Sequence, residues 1–271
     1  MKKIFFLFFL NVNFIFAQVI ISPYIVYTDS KNKFGSFLVQ NESNEPYEIT
    51  ISFVFGYPVS DSLGNMSMKY FEKTTPDQPS ITEWIKVFPR KFILNPKERQ
   101  TVRMTVRPKK KLPPGTYWAR IVTSSTQKSA PVDTLKEGIT AQLKFVLNQV
   151  TTLFYRVDSA ETGAVIDSVF FGEDSTDYVI YAKVHRTGNS PYLGDLEVSV
   201  KDSTGNEIFK KKEYMPLYFS LVKKIVIPKS ELKPGEYTVL LNPVSTEKED
   251  IPQSNLKVIK HDIKKINFTV H

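Results

Sequence analysis

Residues 143–156 read LKFVLNQVTTLFYR, a run in which Leu143, Phe145 and Leu147 recur at every second position. Side chains alternate across a β-strand, so this spacing puts the three on one face of an extended segment. Such a face can be interior packing and nothing more, or a surface offered to a foreign strand. Alternation alone does not choose between them.

Working outward, the rest of the chain is a succession of short β-branched and aromatic runs with no sustained 3.6-residue apolar period. Strands are expected over 19–27, 34–41, 47–55, 85–87, 91–94, 100–106, 115–124 and 139–155, and again over 164–171, 178–185, 194–201, 208–212, 219–227, 236–242 and 263–270. Between them stand turn residues: NESNEP at 41–46, DSLGN at 61–65, Asn95-Pro96 and Pro113-Pro114-Gly115. Strands at this spacing predict an all-β chain of sandwiches. Three turns recur in the same order. Asn44-Glu45-Pro46-Tyr47 returns as Asn189-Ser190-Pro191-Tyr192, Asp61-Ser62-Leu63-Gly64-Asn65 as Asp202-Ser203-Thr204-Gly205-Asn206, and Leu112-Pro113-Pro114-Gly115-Thr116-Tyr117 as Leu232-Lys233-Pro234-Gly235-Glu236-Tyr237. The order suggests two copies of one fold, although such turn chemistry is common in β proteins. Residues 157–164, VDSAETGA, lose the apolar alternation and mark the expected boundary. In the last of the repeated turns, Pro-Gly fits a tight reversal and the following tyrosine enters a strand. Tyr117 and Tyr237 are therefore candidates for corner tyrosines whose hydroxyls tie back to the main chain.

The first residues, MKKIFFLFFLNVNFIFAQ, place two lysines before an apolar run that stops at Ala17, the layout of a secretory signal peptide. The run is shorter than the roughly 20 apolar residues a membrane span needs and is broken by Asn11 and Asn13. Residues 1–17 are thus expected to be removed and the protein to be periplasmic, with no membrane span afterwards. The domain division that follows is 18–157 and 158–271. With no cysteine, stability must come from burial, for which 20 Phe and 13 Tyr supply material. The formal charge of +8 includes Lys2 and Lys3, and the other basic runs, 109–111, 210–212 and 223–224, are separated. They read as solvated loops and strand edges, not as a nucleic-acid footprint.

Catalysis has little raw material. His185, His261 and His271 are the only histidines and none neighbours another candidate ligand. There is no glycine-rich phosphate loop, GxSxG or HExxH. The expectation is a binding protein without enzyme activity, metal or other cofactor. A structural or adhesin-type envelope module is the main alternative. A carbohydrate-binding module built on Trp84 and Trp118 is a third.

Two stretches resemble the periplasmic pilus-assembly chaperones, the PapD-like family of two tandem immunoglobulin-like β-sandwich domains. One is 87–96, VFPRKFILNP, with Gln100, Arg103 and Leu112-Pro113 after it. The other is LKFVLNQVTTLFYR itself. The resemblance implies a chaperone that binds and stabilises an immature fibre, surface or secreted subunit by strand addition, the client lying against Leu143, Phe145, Leu147, Val150, Tyr24 and Val26. It implies a protein client, an outer-membrane assembly protein as a further partner, and a monomer or weak dimer. Arg156 matches the family's interdomain arginine, but the acidic partner expected after the Leu-Pro turn is replaced by Gly115. The family also anchors its client through an arginine of the first strand and a lysine just before LFYR. Here the lysine position is Thr152 and SPYIVY, 22–27, has no arginine.

Overall fold

The computed structural model describes residues 19–109, 111–128, 145–245, 256–259 and 263–270. The proposed signal peptide, His261, His271 and Leu143 lie outside the described residues. Ten strands form the first sandwich: β1 (Val19–Ser22), β2 (Ile25–Asp29), β3 (Phe34–Asn41), β4 (Tyr47–Ser60), β5 (Met66–Phe71), β6 (Ile85–Phe88), β7 (Lys91–Leu94), β8 (Arg99–Val106), β9 (Gly115–Gln127) and β10 (Val146–Val157). Eight form the second: β11 (Ala160–Glu173), β12 (Asp177–Gly188), β13 (Tyr192–Asp202), β14 (Glu207–Leu217), β15 (Ser220–Pro228), β16 (Gly235–Val244), β17 (Leu256–Val258) and β18 (Lys264–Val270).

In the first sandwich a sheet ordered β1-β3-β8-β6 faces one ordered β2-β10-β9-β4-β5, with β7 also paired to β4. The inward residues of both, among them Phe37, Val39, Ile49, Ile51, Val102, Ile121 and Leu153, share one core. In the second, a sheet ordered β15-β12-β11-β17 faces β14-β13-β16-β18 around Ile180, Val184, Leu196, Val198, Leu221 and Leu241. The chain is all β in two tandem sandwiches. Among the described residues the helical exceptions are single 3-10 turns at Thr82–Trp84 and Lys229–Glu231.

The repeated turns occupy matching places. NEPY and NSPY lead into β4 and β13, which begin at Tyr47 and Tyr192. DSLGN joins β4 to β5 and DSTGN joins β13 to β14. In each, the aspartate Oδ1 accepts main-chain N–H bonds from the second and fourth residues onward: 2.9 Å from Leu63 and Asn65 to Asp61, and 2.9 Å from Thr204 and Asn206 to Asp202. A carboxylate that satisfies the turn's own donors stabilises the reversal without help from the core. At the other repeated turn, Gly115 and Gly235 take positive φ values of 148° and 155° that a side chain would oppose. The Tyr117 hydroxyl donates to Pro113 O at 3.0 Å, and that of Tyr237 to Lys233 O at 2.8 Å. Lys233 N returns a bond to the Tyr237 hydroxyl at 3.1 Å.

Three sequence expectations are corrected. Residues 19–27 are not one strand: the chain breaks at Pro23, which has no N–H to give a ladder, and β1 and β2 join opposite sheets. Strands β5 and β17 were not expected, because MSMKYF and LKV carry too few inward apolar residues to show a period. The stretch at 157–164 is largely strand, with β10 ending at Val157 and β11 starting at Ala160.

The corner bonds give a first test. Tyr237→Phe removes a hydroxyl that serves both main-chain groups of Lys233, and should lower the stability of the second sandwich by about 1 kcal/mol. Tyr117→Phe, with one bond in a more exposed corner, should cost less. Urea denaturation of the two variants checks the order.

Candidate functional site: a half-paired strand

β10 is paired with β9 along its whole length, from Val146 opposite Thr126 to Val157 opposite Gly115. On its other side β2 runs parallel to it only from Thr152 opposite Ile25 to Arg156 opposite Asp29. Thr152 N donates to Tyr24 O at 3.0 Å, and this is where that partnership begins. Among the described residues no strand pairs with Val146 to Thr151 on this side. Main-chain groups alternate in direction along a strand. Since Thr152 N–H points toward β2, the N–H groups of Val150, Asn148 and Val146 point the same way, into the unpaired edge.

The side chains sort by the same period. Phe145, Leu147, Gln149 and Thr151 lie in phase with Leu153, Tyr155 and Val157, which belong to the first core. Phe145 is 79% exposed and Leu147 is 52% exposed, so the core face of the sheet continues outward as an uncovered apolar stripe. Val150 is 41% exposed but stands on the opposite face, in phase with Thr152, Phe154 and Arg156. Tyr24 is 69% exposed beside the point where β2 begins. Val26 is 5% exposed and packs in the first core. It presents nothing to a partner, because β2 alternates and Val26 falls on the inward phase with Thr28.

The opposite face of β9 and β10 is covered around Trp118 and Phe154. Trp118, Phe154 and Phe55 join Tyr218 of the second sandwich in a third apolar cluster. Tyr218 meets Trp118 edge-on at 4.9 Å between ring centroids and stacks on Phe154 at 6.2 Å. Phe219 approaches Tyr57 at 4.7 Å. With Trp118 fully buried here, it offers no platform for a sugar. Around the cluster, Thr116 N donates to Asn189 O at 3.0 Å, Thr116 Oγ1 and Ser190 Oγ lie 2.7 Å apart, and Val222 N donates to Ser60 Oγ at 2.6 Å. Asn189 Nδ2 also donates to Pro114 O at 3.0 Å. Two of the repeated turns, one from each half, thus meet at the junction.

Arg120, which the sequence reading missed, sits in this cluster directly across β9 from Thr152. Its Nε donates to Gly56 O at 3.0 Å, its Nη1 donates to Thr152 Oγ1, and its guanidinium lies 4.9 Å from the Tyr218 ring centroid. Where the resemblance calls for a lysine, the chain has a threonine that accepts from this arginine. Arg156 is buried 5.7 Å from the Tyr27 ring, beside a cavity of about 20 Å³ that residues of both sandwiches line. Burial lowers its pKa, while Tyr27 and Asp29 work in the opposite direction. The basic runs on β14 and β15 meet carboxylates: Lys211 and Lys223 each lie 2.8 Å from Glu213, and Lys212 lies 3.5 Å from Asp195.

No protein-family model matches the chain, and no curated protein matches it. Among solved structures it is similar to the YadV chaperone, at 11% identity over 94% of this chain and 100% of that one, with a TM-score of 0.46. It is similar to a chain of the CsuC–CsuE chaperone–tip adhesion subunit complex from Acinetobacter baumannii, at 11% identity, 93% and 98% coverage and a TM-score of 0.44. The Salmonella enterica SafA pilin–SafB chaperone complex gives 13% identity, 93% and 96% coverage and a TM-score of 0.41. At these values the likeness decides nothing about function. The strand order and the unpaired edge stand on this chain's own geometry.

Two measurements check the site. In native-state hydrogen exchange, the amides of Val146, Asn148 and Val150 should exchange faster than those of Leu147, Gln149 and Thr151, which face β9. The junction has a pH signature. Burial raises the pKa of Tyr27 and Tyr218 and pushes Tyr214 up to about 12. Unfolded tyrosines ionise near pH 10, so above that pH the unfolded state releases protons that the folded state retains. The stability these groups contribute is whole below about pH 10 and is lost as the pH rises above it. Urea midpoints should fall over that window.

Proposed function

We propose that this chain is an exported, non-catalytic binding protein of the chaperone type. It holds an extended segment of an immature fibre, surface or secreted subunit as an added strand along Val146 to Thr151 of β10. The proposed mature protein comprises residues 18–157 and 158–271 in the periplasm and works without nucleotide or metal. The observation that carries this reading is the coincidence on one segment of unpaired main-chain groups and an exposed apolar stripe in register with the core. An open edge of this kind is an aggregation hazard unless something pairs with it.

Magnitudes divide the work between main chain and side chains. Each main-chain bond to an added strand contributes about 1 kcal/mol net, and burying a phenylalanine or leucine contributes about 1.5–3 kcal/mol. Hydrogen bonds fix direction and register, while Phe145 and Leu147 supply most of the hold. The client's inward residues then alternate beside Phe145 and Leu147 and extend the first core. Its far end meets Tyr24, where β2 takes over the pairing. Thr152 and Arg120 hold each other at this end in place of the cation pair that the resemblance calls for.

The test is co-expression in the periplasm with a β-sandwich subunit from the same genome that lacks its final strand. A one-to-one complex is expected on size exclusion. Leu147→Glu and Phe145→Glu should abolish it, and Asn148→Pro should weaken it about tenfold by removing one outward donor. Gln149→Pro, whose N–H faces β9, should instead destabilise the fold. A complex indifferent to all three edge substitutions would overturn the proposal and favour a spacer or accessory module.

A further inference from the structure

A cleft of about 600 Å³ lies at the junction of the two sandwiches. None of its lining residues belongs to β2 or β10, so it is separate from the unpaired edge. One wall is the segment from Thr74 to Trp84, with the Leu112–Tyr117 turn beside it, and the other is Arg186, Asn189 and Phe219 of the second sandwich.

Arg186 sets the chemistry. Its main-chain N donates to Phe219 O at 2.7 Å, and its guanidinium rests 5.3 Å from the Phe219 ring centroid. Among the described residues it has no carboxylate within 4.0 Å and no side-chain hydrogen bond. Yet the group is substantially withdrawn from solvent, and that desolvation lowers its pKa with no opposing charge to offset it. Half-buried against Phe219, the guanidinium lines the cleft with donors that no carboxylate of the described residues engages. Two carboxylates also line the cleft. Glu83 reaches Lys109 at 4.0 Å, and the Asp77 carboxyl is held below its usual pKa by a bond from Thr75. The unmet demand is for one negative charge with two coplanar acceptors, which a carboxylate supplies to a guanidinium fork.

We propose that this cleft is a second binding site, independent of the β10 edge, whose ligand is a carboxylate held by Arg186 and flanked by Trp84 and Tyr117. Free dicarboxylates and the acidic side chain of a peptide share that chemistry. Trp84 and Tyr117 in the walls favour an extended Pro-containing peptide, since aromatic-lined grooves take such pre-extended segments.

The full-length mature protein can be titrated with a blocked Pro-Glu-Pro peptide, its Pro-Gln-Pro counterpart, succinate and inorganic phosphate. Tryptophan fluorescence serves as the readout, because Trp84 lines the cleft and Trp118 is sealed in the junction. Saturable binding of the glutamate peptide or of succinate is expected, at least tenfold tighter than the glutamine peptide and weakening with added salt. Which of the two binds tells peptide from free dicarboxylate. Arg186→Gln should abolish the preference for carboxylate and Arg186→Lys should retain part of it. Equal binding of the glutamate and glutamine peptides, tighter binding of phosphate, or no saturable change with any probe overturns the proposal. Should Arg186→Gln fail to fold, the wild-type comparison of the two peptides still decides. Retained β10 client binding in Arg186→Gln separates failure at this site from failure at the edge.

Discussion

The half-length pairing of β10 is the constraint on which the rest of the molecule turns. A buried strand must place every main-chain donor and acceptor somewhere, and β10 does so toward β9 over its whole length but toward β2 over only its C-terminal part. The cause is local. The N-terminal segment is divided at Pro23, its first half going to β3 and its second half starting beside Thr152. Had residues 19–27 run as one strand along β10, the edge would be closed. The division covers the core at both sheets with a short segment and, among the described residues, leaves part of one strand open.

The other face of the same two strands, next to the open edge, carries the junction with the second sandwich. From Thr151 onward β10, with the part of β9 beside it, is buried on both sides, with Ala119, Ile121, Leu153 and Tyr155 turned to their own core and Trp118, Arg120 and Phe154 turned to the second sandwich. Tyr218 fills the space between, and main-chain bonds at Thr116 and Val222 fix the approach. The second sandwich thus braces the first. The cleft that contains Arg186 lies at the same junction, with Phe219 in its wall between Tyr57 and Arg186.

Much of this was legible in the residues. The period-two alternation gave the strands, the repeated DSxGN and LxPGxY turns gave the internal duplication, and Tyr117 and Tyr237 do make the corner bonds their spacing suggested. Phe145 and Leu147 were readable as an apolar stripe. What escaped were β5, whose residues pack too little to show a period, the burial of Val26, and the roles of Arg120, Tyr218 and Arg186. Nothing adjacent in sequence distinguishes Arg120 from a surface arginine. Only its place two residues after Trp118, on the same face of β9, could have raised the question.

Local chemistry, then, determined the elements: which segments extend, where they turn, and that the two halves are built alike, since side-chain alternation and turn donors act within a few residues. Tertiary structure alone decided which of those segments would lack a neighbour and which arginines would lose solvent. Pairing partners are chosen by contacts between residues far apart in the chain. A free edge or an unmatched charge is a property of what lies beside a residue in space.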